Sequence, residues 1–295
     1  MRDLLSEVQA ALYCAGTNFR KWYRNPTIIV LALVWLAYTY HACHGLTDFC
    51  VDNGYYIHPW VLPFYTDNTH ANFMYICMLM LLFAQAPFCD ATVPFTMIRT
   101  GKRAWFLGQV LYIAGASLVF LLFHYGAMLL VLAPALGFSP NWGGVIEGLA
   151  KNSSLMQEYD TTLLEFNPQL INDYGPWEAT WKTMLLLWLT SMFVGYLILF
   201  FNAMVKPGVG IIVTGGMACW TKFAGSVHGM LTYGAWISKT ALFYWGSLSG
   251  LYPMRSGSVP AETAVPIQLG IIAVCIVVST VVFSRKDTVF EKGRF

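Results

Sequence analysis

Five stretches of this chain, Thr27 to Ala42, Ala71 to Phe88, Ala104 to Leu132, Thr183 to Val205 and Pro266 to Phe283, contain no Asp, Glu, Lys or Arg. A helical residue rises about 1.5 Å and the hydrocarbon core of a bilayer is about 30 Å thick, so a span needs about 20 such residues. The third stretch is long enough to tilt or to emerge from the bilayer. Composition agrees. Of 295 residues 57% are hydrophobic and 11% charged, with mean hydropathy +0.56, against roughly 45–50% apolar and 25% charged in soluble domains. Eleven Trp and sixteen Tyr supply interfacial anchors.

The stretch from Pro207 to Tyr252 is interrupted by Lys222 and Lys239 and thinned by glycines, among them Gly208, Gly210, Gly215, Gly216, Gly225, Gly229 and Gly234. It reads as one span from about Val209 to Met230, followed by a partly inserted outer hairpin over Gly229 to Leu251. Lys222 then lies about two-thirds of the way across, where a long side chain snorkels to the outer interface. Two full spans here would put the termini on opposite faces, and charge decides between the readings. With six spans the inner segments hold Arg2, Arg20, Lys21, Arg24, Arg99, Lys102, Arg103, Lys206, Arg285, Lys286, Lys292 and Arg294, twelve of the seventeen basic residues. The outer loops, about 44–70, 134–182 and 251–265, hold Lys151, Lys182 and Arg255 and most of the acidic residues. The positive-inside bias therefore predicts an all-α membrane protein of six transmembrane helices with both termini cytoplasmic.

Residues 1–26 are too polar for a cleavable signal peptide. Leu5, Val8, Leu12, Ala15, Phe19 and Trp22 recur at steps of three and four, which predicts an amphipathic helix resting in the interface. Residues 27–295 form the transmembrane domain. The loop from Pro134 to Trp181 is long enough to need short helices of its own, forming an outer cap. Asn152-Ser153-Ser154 fits a glycosylation sequon, a pattern too common to carry weight.

Chemistry is sparse. The sequence has no phosphate loop, no G-x-S-x-G elbow, no H-E-x-x-H and no dinucleotide fingerprint. The five clear spans lack the acidic residues that an ion-coupled carrier places at mid-membrane. A net charge of +2 is too small for nucleic acid binding. Among seven singly placed cysteines only Cys43 and Cys50 lie close enough, on an expected outer loop, for a bridge, and lone membrane cysteines more commonly serve as small apolar packers. His41, His44, Asp48, Cys50 and His58 are metal-ligand types gathered near the outer end of the first span, but no third ligand is fixed by spacing. His124 stands alone in the third span, lining a polar cavity or hydrogen-bonded to a neighbouring helix.

The most specific pattern is the inner connection APFCDATVPFTMIRTGKRAWFLGQ, where the chain leaves at Pro87 and re-enters at Trp105 past Arg99, Gly101, Lys102 and Arg103. With the N-terminal helix ending in FRKWYRNP, six spans, and the glycine-rich interruption before the last, the layout resembles permease subunits of type-2 ATP-binding-cassette exporters. The resemblance covers the whole chain in layout and rests in residues on 19–26 and 89–112. It implies that the N-terminal helix and a coupling helix within Asp90 to Arg99 contact a separate ATPase, with Asp90, Thr92, Arg99, Lys102 and Arg103 as coupling residues and the inner region spanning about 89–103. It implies no cofactor in this chain, with ATP and Mg held by two cassette ATPase subunits. It also implies a second permease, identical or related, and re-entrant helices between spans five and six. The loop from Pro134 to Trp181 is larger than the short one common in that family. FMYICMLMLLF and FLLFHYGAMLL suit an amphipathic cargo (peptide, antimicrobial or drug-like), with Tyr75, Met78, Tyr112, His124 and Lys222 as the translocation path. Membrane lipid is a partner, nucleic acid is not, and the expected location is the cell membrane. A passive channel or structural subunit, and a membrane-embedded metalloenzyme using His41, His44 and Cys50, are the alternatives.

Overall fold

A computed structural model describes residues 2–90, 92–152, 154–155, 159, 163–227, 234–254 and 258–285. Ser153, Glu158, Asp160, Gly229, Met230, Arg255, Lys286, Lys292 and Arg294 lie outside the described residues. The described chain consists of α-helices, short 3-10 turns and irregular connections, with no β-strand among them. Four helices are long and apolar enough to cross a membrane: α2 (Pro26–Asp52), α6 (Lys102–Leu132, continued by a 3-10 turn to Ala135), α9 (Pro176–Met204) and α12 (Ala261–Arg285). Two more helices run with them. The apolar α4 (Thr69–Phe83) has 15 residues and α10 (Val209–Val227) has 19.

The six helices alternate in direction. In α2 and α6, Trp35 meets His124 and Thr47 meets Val131, so the pair runs parallel. Between α6 and α9, Trp188 bonds Ala114 while Tyr196 bonds Val110, so that pair is antiparallel. Phe283, near the end of α12, stacks on Trp105 near the start of α6. One end of the bundle therefore collects Lys21, Arg24, Arg99, Lys102, Arg103 and Lys206, and is called the basic end. The other is the cap end.

Several boundaries differ from those read in the sequence. The first apolar run continues as helix past Ala42 to Asp52, because Ala42, Cys43, Leu46 and Cys50 keep one face buried. The expected loop over 44–70 thus begins as helix and ends in α3 (Leu62–Asp67), a buried cap segment. Cys43 and Cys50 are free thiols buried on that face, and on one continuous helix their spacing of seven residues sets them about 10 Å apart, too far for a bridge. The loop after Pro134 holds α7 (Gly144–Lys151) and α8 (Pro168–Asp173), as expected, but α9 begins at Pro176 rather than Thr183. Glu178 and Lys182 pair one turn apart at its start, which lets a charged turn extend the helix.

Beyond α10, α11 (Gly234–Thr240) and 3-10 turns at Leu242–Gly246 and Leu248–Gly250 return to the bundle. Phe243, Tyr244 and Trp245 are buried, and Gln268 of α12 donates to the Leu242 carbonyl and lies 3.5 Å from the Thr190 hydroxyl. This segment therefore reaches about four turns along α9.

Packing in the bundle uses small residues and buried amides, since apolar side chains gain little by leaving lipid for protein. Asn202 of α9 is the fullest case: its Nδ2 donates to the Ala84 and Ala86 carbonyls and its Oδ1 accepts from the Gly208 and Gly210 amides. One side chain thereby joins α9, the end of α4 and the start of α10.

Candidate functional site

The N-terminal helix α1 (Arg2–Arg20) packs lengthwise on the first turns of α6. Ala11, Cys14 and Ala15 lie so close to Gly108 that any Cβ there would collide with the Ala11 carbonyl and Cys14. Asn18 donates to Gln109 at 3.4 Å, and the Trp22 indole donates to the Tyr112 hydroxyl at 2.7 Å. The periodic stripe read from sequence is thus divided. Ala15, Phe19 and Trp22 meet α6, while Leu5, Val8 and Leu12 are exposed.

The connection from α4 to α6 holds α5 (Val93–Thr100). Asp90 sets its start: one carboxylate oxygen accepts from the amide and the hydroxyl of Thr92, and the other pairs with the Lys21 ammonium. Burial alone would raise the Asp90 carboxyl, but Lys21 and Thr92 outweigh it and hold the group below the ordinary carboxylate range. One carboxylate therefore ties the end of α1 to the start of α5. Gly101, at φ +83, ends α5 and opens α6, a backbone conformation that only glycine adopts without strain.

Val93 and Met97 anchor α5, and its other face is open, with Phe95 70% and Ile98 83% exposed beside Arg99. Arg99, Lys102 and Arg103 line an open cleft with Ser6 and Glu7 of α1. The structure thus brings Asp90, Thr92, Arg99, Lys102 and Arg103 to one corner of the basic end. Phe95 and Ile98 were not singled out from the sequence. Their signal is a helix-length inner segment with more large apolar residues than its one buried face, Val93 and Met97, can use.

The path residues do not share one place. Tyr75 and His124 lie in a closed aromatic cluster with Trp35, Tyr65 and Phe120. The Trp35 indole donates to His124 Nδ1 at 3.2 Å, which puts the imidazole proton on Nε2. Tyr75 and Ser191 share a hydrogen bond of 3.1 Å. Met78 is buried one turn further along α4. Tyr112 belongs to a separate cluster with Phe19, Trp22 and Phe88 near the basic end. Lys222 sits towards the cap end, 3.5 Å from the Thr69 hydroxyl.

The histidine and cysteine set near α2 does not converge. His41 and His44 stack at 6.0 Å and are directed outward, Cys50 is fully buried, and His58 packs under Gly143. No group of three or more His, Cys, Asp or Glu side chains suited to a metal occurs among the described residues. At the cap end Phe49, Tyr55, Tyr56, His58 and Leu149 line an aromatic cavity of about 550 Å³.

Comparisons with family models, curated proteins and solved structures found no match for this chain.

Proposed function

We propose that this chain is the transmembrane subunit of an ATP-driven exporter in the cell membrane. Its six spans are α2, α4, α6, α9, α10 and α12, with the basic end and both termini cytoplasmic. The observation that carries the reading is the α5 corner. An exposed apolar pair, Phe95 and Ile98, stands beside Arg99 and Arg103 on a short helix tied to α1. Exposed apolar surface rimmed by charge fits a protein partner, and the basic residues beside it favour the cytoplasmic face. Two ATPase subunits would clasp this corner and carry the ATP and Mg, while the exposed Leu5, Val8 and Leu12 of α1 meet headgroups. A second permease, identical or related, completes the path.

The buried return of Leu242–Gly250 against α9 and α12 supports a re-entrant outer hairpin. The aromatic cavity on the cap supports an amphipathic cargo, a peptide, antimicrobial or drug-like compound. The closed cluster around His124 fits a protomer whose path opens against its partner rather than through its own core.

The test is purification of the tagged chain in mild detergent with mass spectrometry of bound proteins. A stoichiometric cassette ATPase is expected, and Phe95→Ser with Ile98→Ser should lose it. A chain that purifies alone, with no transport response to ATP, overturns the reading. Single cysteines at Glu147 and Lys206, with Cys219 replaced by Ser, test topology. Impermeant reagent added outside should label the first and spare the second.

A further inference from the structure

Where α2, α4 and α6 diverge near the basic end, they leave a groove of about 220 Å³ lined by Trp22, Ile28, Leu31, Leu82, Phe120 and Phe123, with Ala32 and Val119 at its edge. Every lining residue is apolar apart from the Trp22 indole N–H, and Tyr112 accepts that. Its floor is closed, because Leu31, Leu82 and Phe120 are buried and Phe120 packs on Trp35 and Tyr75. Its rim is open. Val119 is 43% exposed and Phe123 37%.

The depth of the groove matches one leaflet. The Trp22 bond to Tyr112 fixes its outer limit at the basic end, and the Trp35 bond to His124 fixes the register of α2 on α6 at the other. From Tyr112 to Phe123 the helix rises about 16 Å, roughly half of a hydrocarbon core about 30 Å thick. Trp22 then stands at headgroup level, where indoles are favoured. Between Trp22 and Ile28 the chain turns through Tyr23, Arg24 and Asn25, so this turn stands at the mouth of the groove. Arg24 is exposed there, its guanidinium 5.3 Å from the centre of the Tyr23 ring. The neighbouring ammonium, Lys21, is already held by Asp90.

We propose that this groove holds one acyl chain of an anionic phospholipid from the leaflet at the basic end, with the lipid phosphate met by the Arg24 guanidinium. An empty groove forfeits dispersion contacts along its walls, so a hydrocarbon chain fills it. The chain by itself confers no selectivity, since lipid tails are as apolar as the side chains they touch. Selectivity comes from the mouth. A guanidinium fork fits phosphate oxygens with two parallel hydrogen bonds, and its charge favours a headgroup with net negative charge over a zwitterionic one. The inference rests on the membrane placement of the bundle, with its basic end at a bilayer surface, and not on the exporter reading.

The experiment places the full chain in phosphatidylcholine nanodiscs with a trace of phosphatidylglycerol that carries a diazirine at mid-chain, and maps the adducts by peptide mass spectrometry after illumination. Adducts are expected on Ile28, Ala32, Val119 or Phe123. A phosphatidylcholine probe with the same chain should label these residues about fivefold less. Arg24→Gln should bring the two probes level at the lower yield, and because Arg24 is exposed the variant keeps its fold. Ala32→Trp and Val119→Trp, each checked for a parent-like Tm, fill the groove and should remove its adducts. Labelling spread evenly over the exposed Val30, Leu33 and Val274, equal labelling by the two probes in the parent chain, or a phosphatidylglycerol preference that survives Arg24→Gln overturns the proposal. An interchain disulfide through Val119→Cys, with Cys219 replaced by Ser, also overturns it, since a second copy of the chain would then cover the groove.

Discussion

At the basic end charged groups stand at the surface and pair there, Lys21 with Asp90 across a contact that water still reaches. At the cap end Asp67 of α3 is enclosed, its oxygens have no side-chain donor among the described residues, and the Glu165 charge lies near it. The same residue type is held below its ordinary titration range at one end and far above it at the other. Desolvation favours the neutral form in both places, and only at Asp90 do an ammonium and two hydrogen bonds outweigh it. A carboxylate's role in this bundle is therefore set by the donors that the fold brings to it.

The contrast can be broken from either end. The largest effect is expected from joint reversal of Arg99, Lys102 and Arg103 to Glu, which should cut ATP-driven transport or ATPase recovery at least about tenfold, roughly 1.4 kcal/mol or more, while leaving the fold intact. Normal assembly and turnover in that variant would remove the coupling role from this corner. The largest effect on stability itself is expected from Asn202→Ala, which orphans four backbone groups and should lower it by about 2–4 kcal/mol, read as a fall in Tm in detergent.

Asp67→Asn should act in the opposite direction and raise stability at pH 7 by about 1 kcal/mol, since it removes a buried acid with no side-chain donor among the described residues. Its folded titration lies above the unfolded one, so the folded state keeps a proton that the unfolded state loses. Stability conferred by the native Asp67 thus declines as pH rises from about 4, and the advantage of Asn should shrink to nothing below that value. A Tm gain independent of pH would contradict this account. The smallest effect belongs to Lys21→Met, about 0.5 kcal/mol, because the pair is exposed and screened by salt. Asp90 titrates below its unfolded value when folded, so this contribution is present above about pH 4 and lost as pH falls through the folded value. Loss of the effect in 1 M salt is the check.

Helix type and position were legible in the sequence because a bilayer demands long charge-free runs, and α6 lies where the run from Ala104 to Leu132 placed it. The short helix expected within Asp90 to Arg99 came from the resemblance in layout, and α5 runs from Val93 to Thr100, one residue past that range, to end at Gly101. Helix ends were less legible. The extension of α2 to Asp52 depends on α6 lying alongside to receive Thr47 and the buried cysteine face. The polar hubs were not legible at all. Nothing local distinguishes Asn202 from any asparagine near a helix end, and Asp67 reads as one more acidic loop residue.

The sequence by itself determined that this chain is a helical membrane protein with most of its basic residues gathered at one end, because hydropathy and charge act residue by residue against the surrounding solvent. Only the tertiary structure decided which polar groups found partners. It closed an aromatic cluster around His124, left Phe95 and Ile98 exposed, and buried Asp67 with no side-chain donor among the described residues. Those outcomes depend on distances between segments as far apart in the chain as α3 and the turn at Ser249, and a linear pattern holds no record of them.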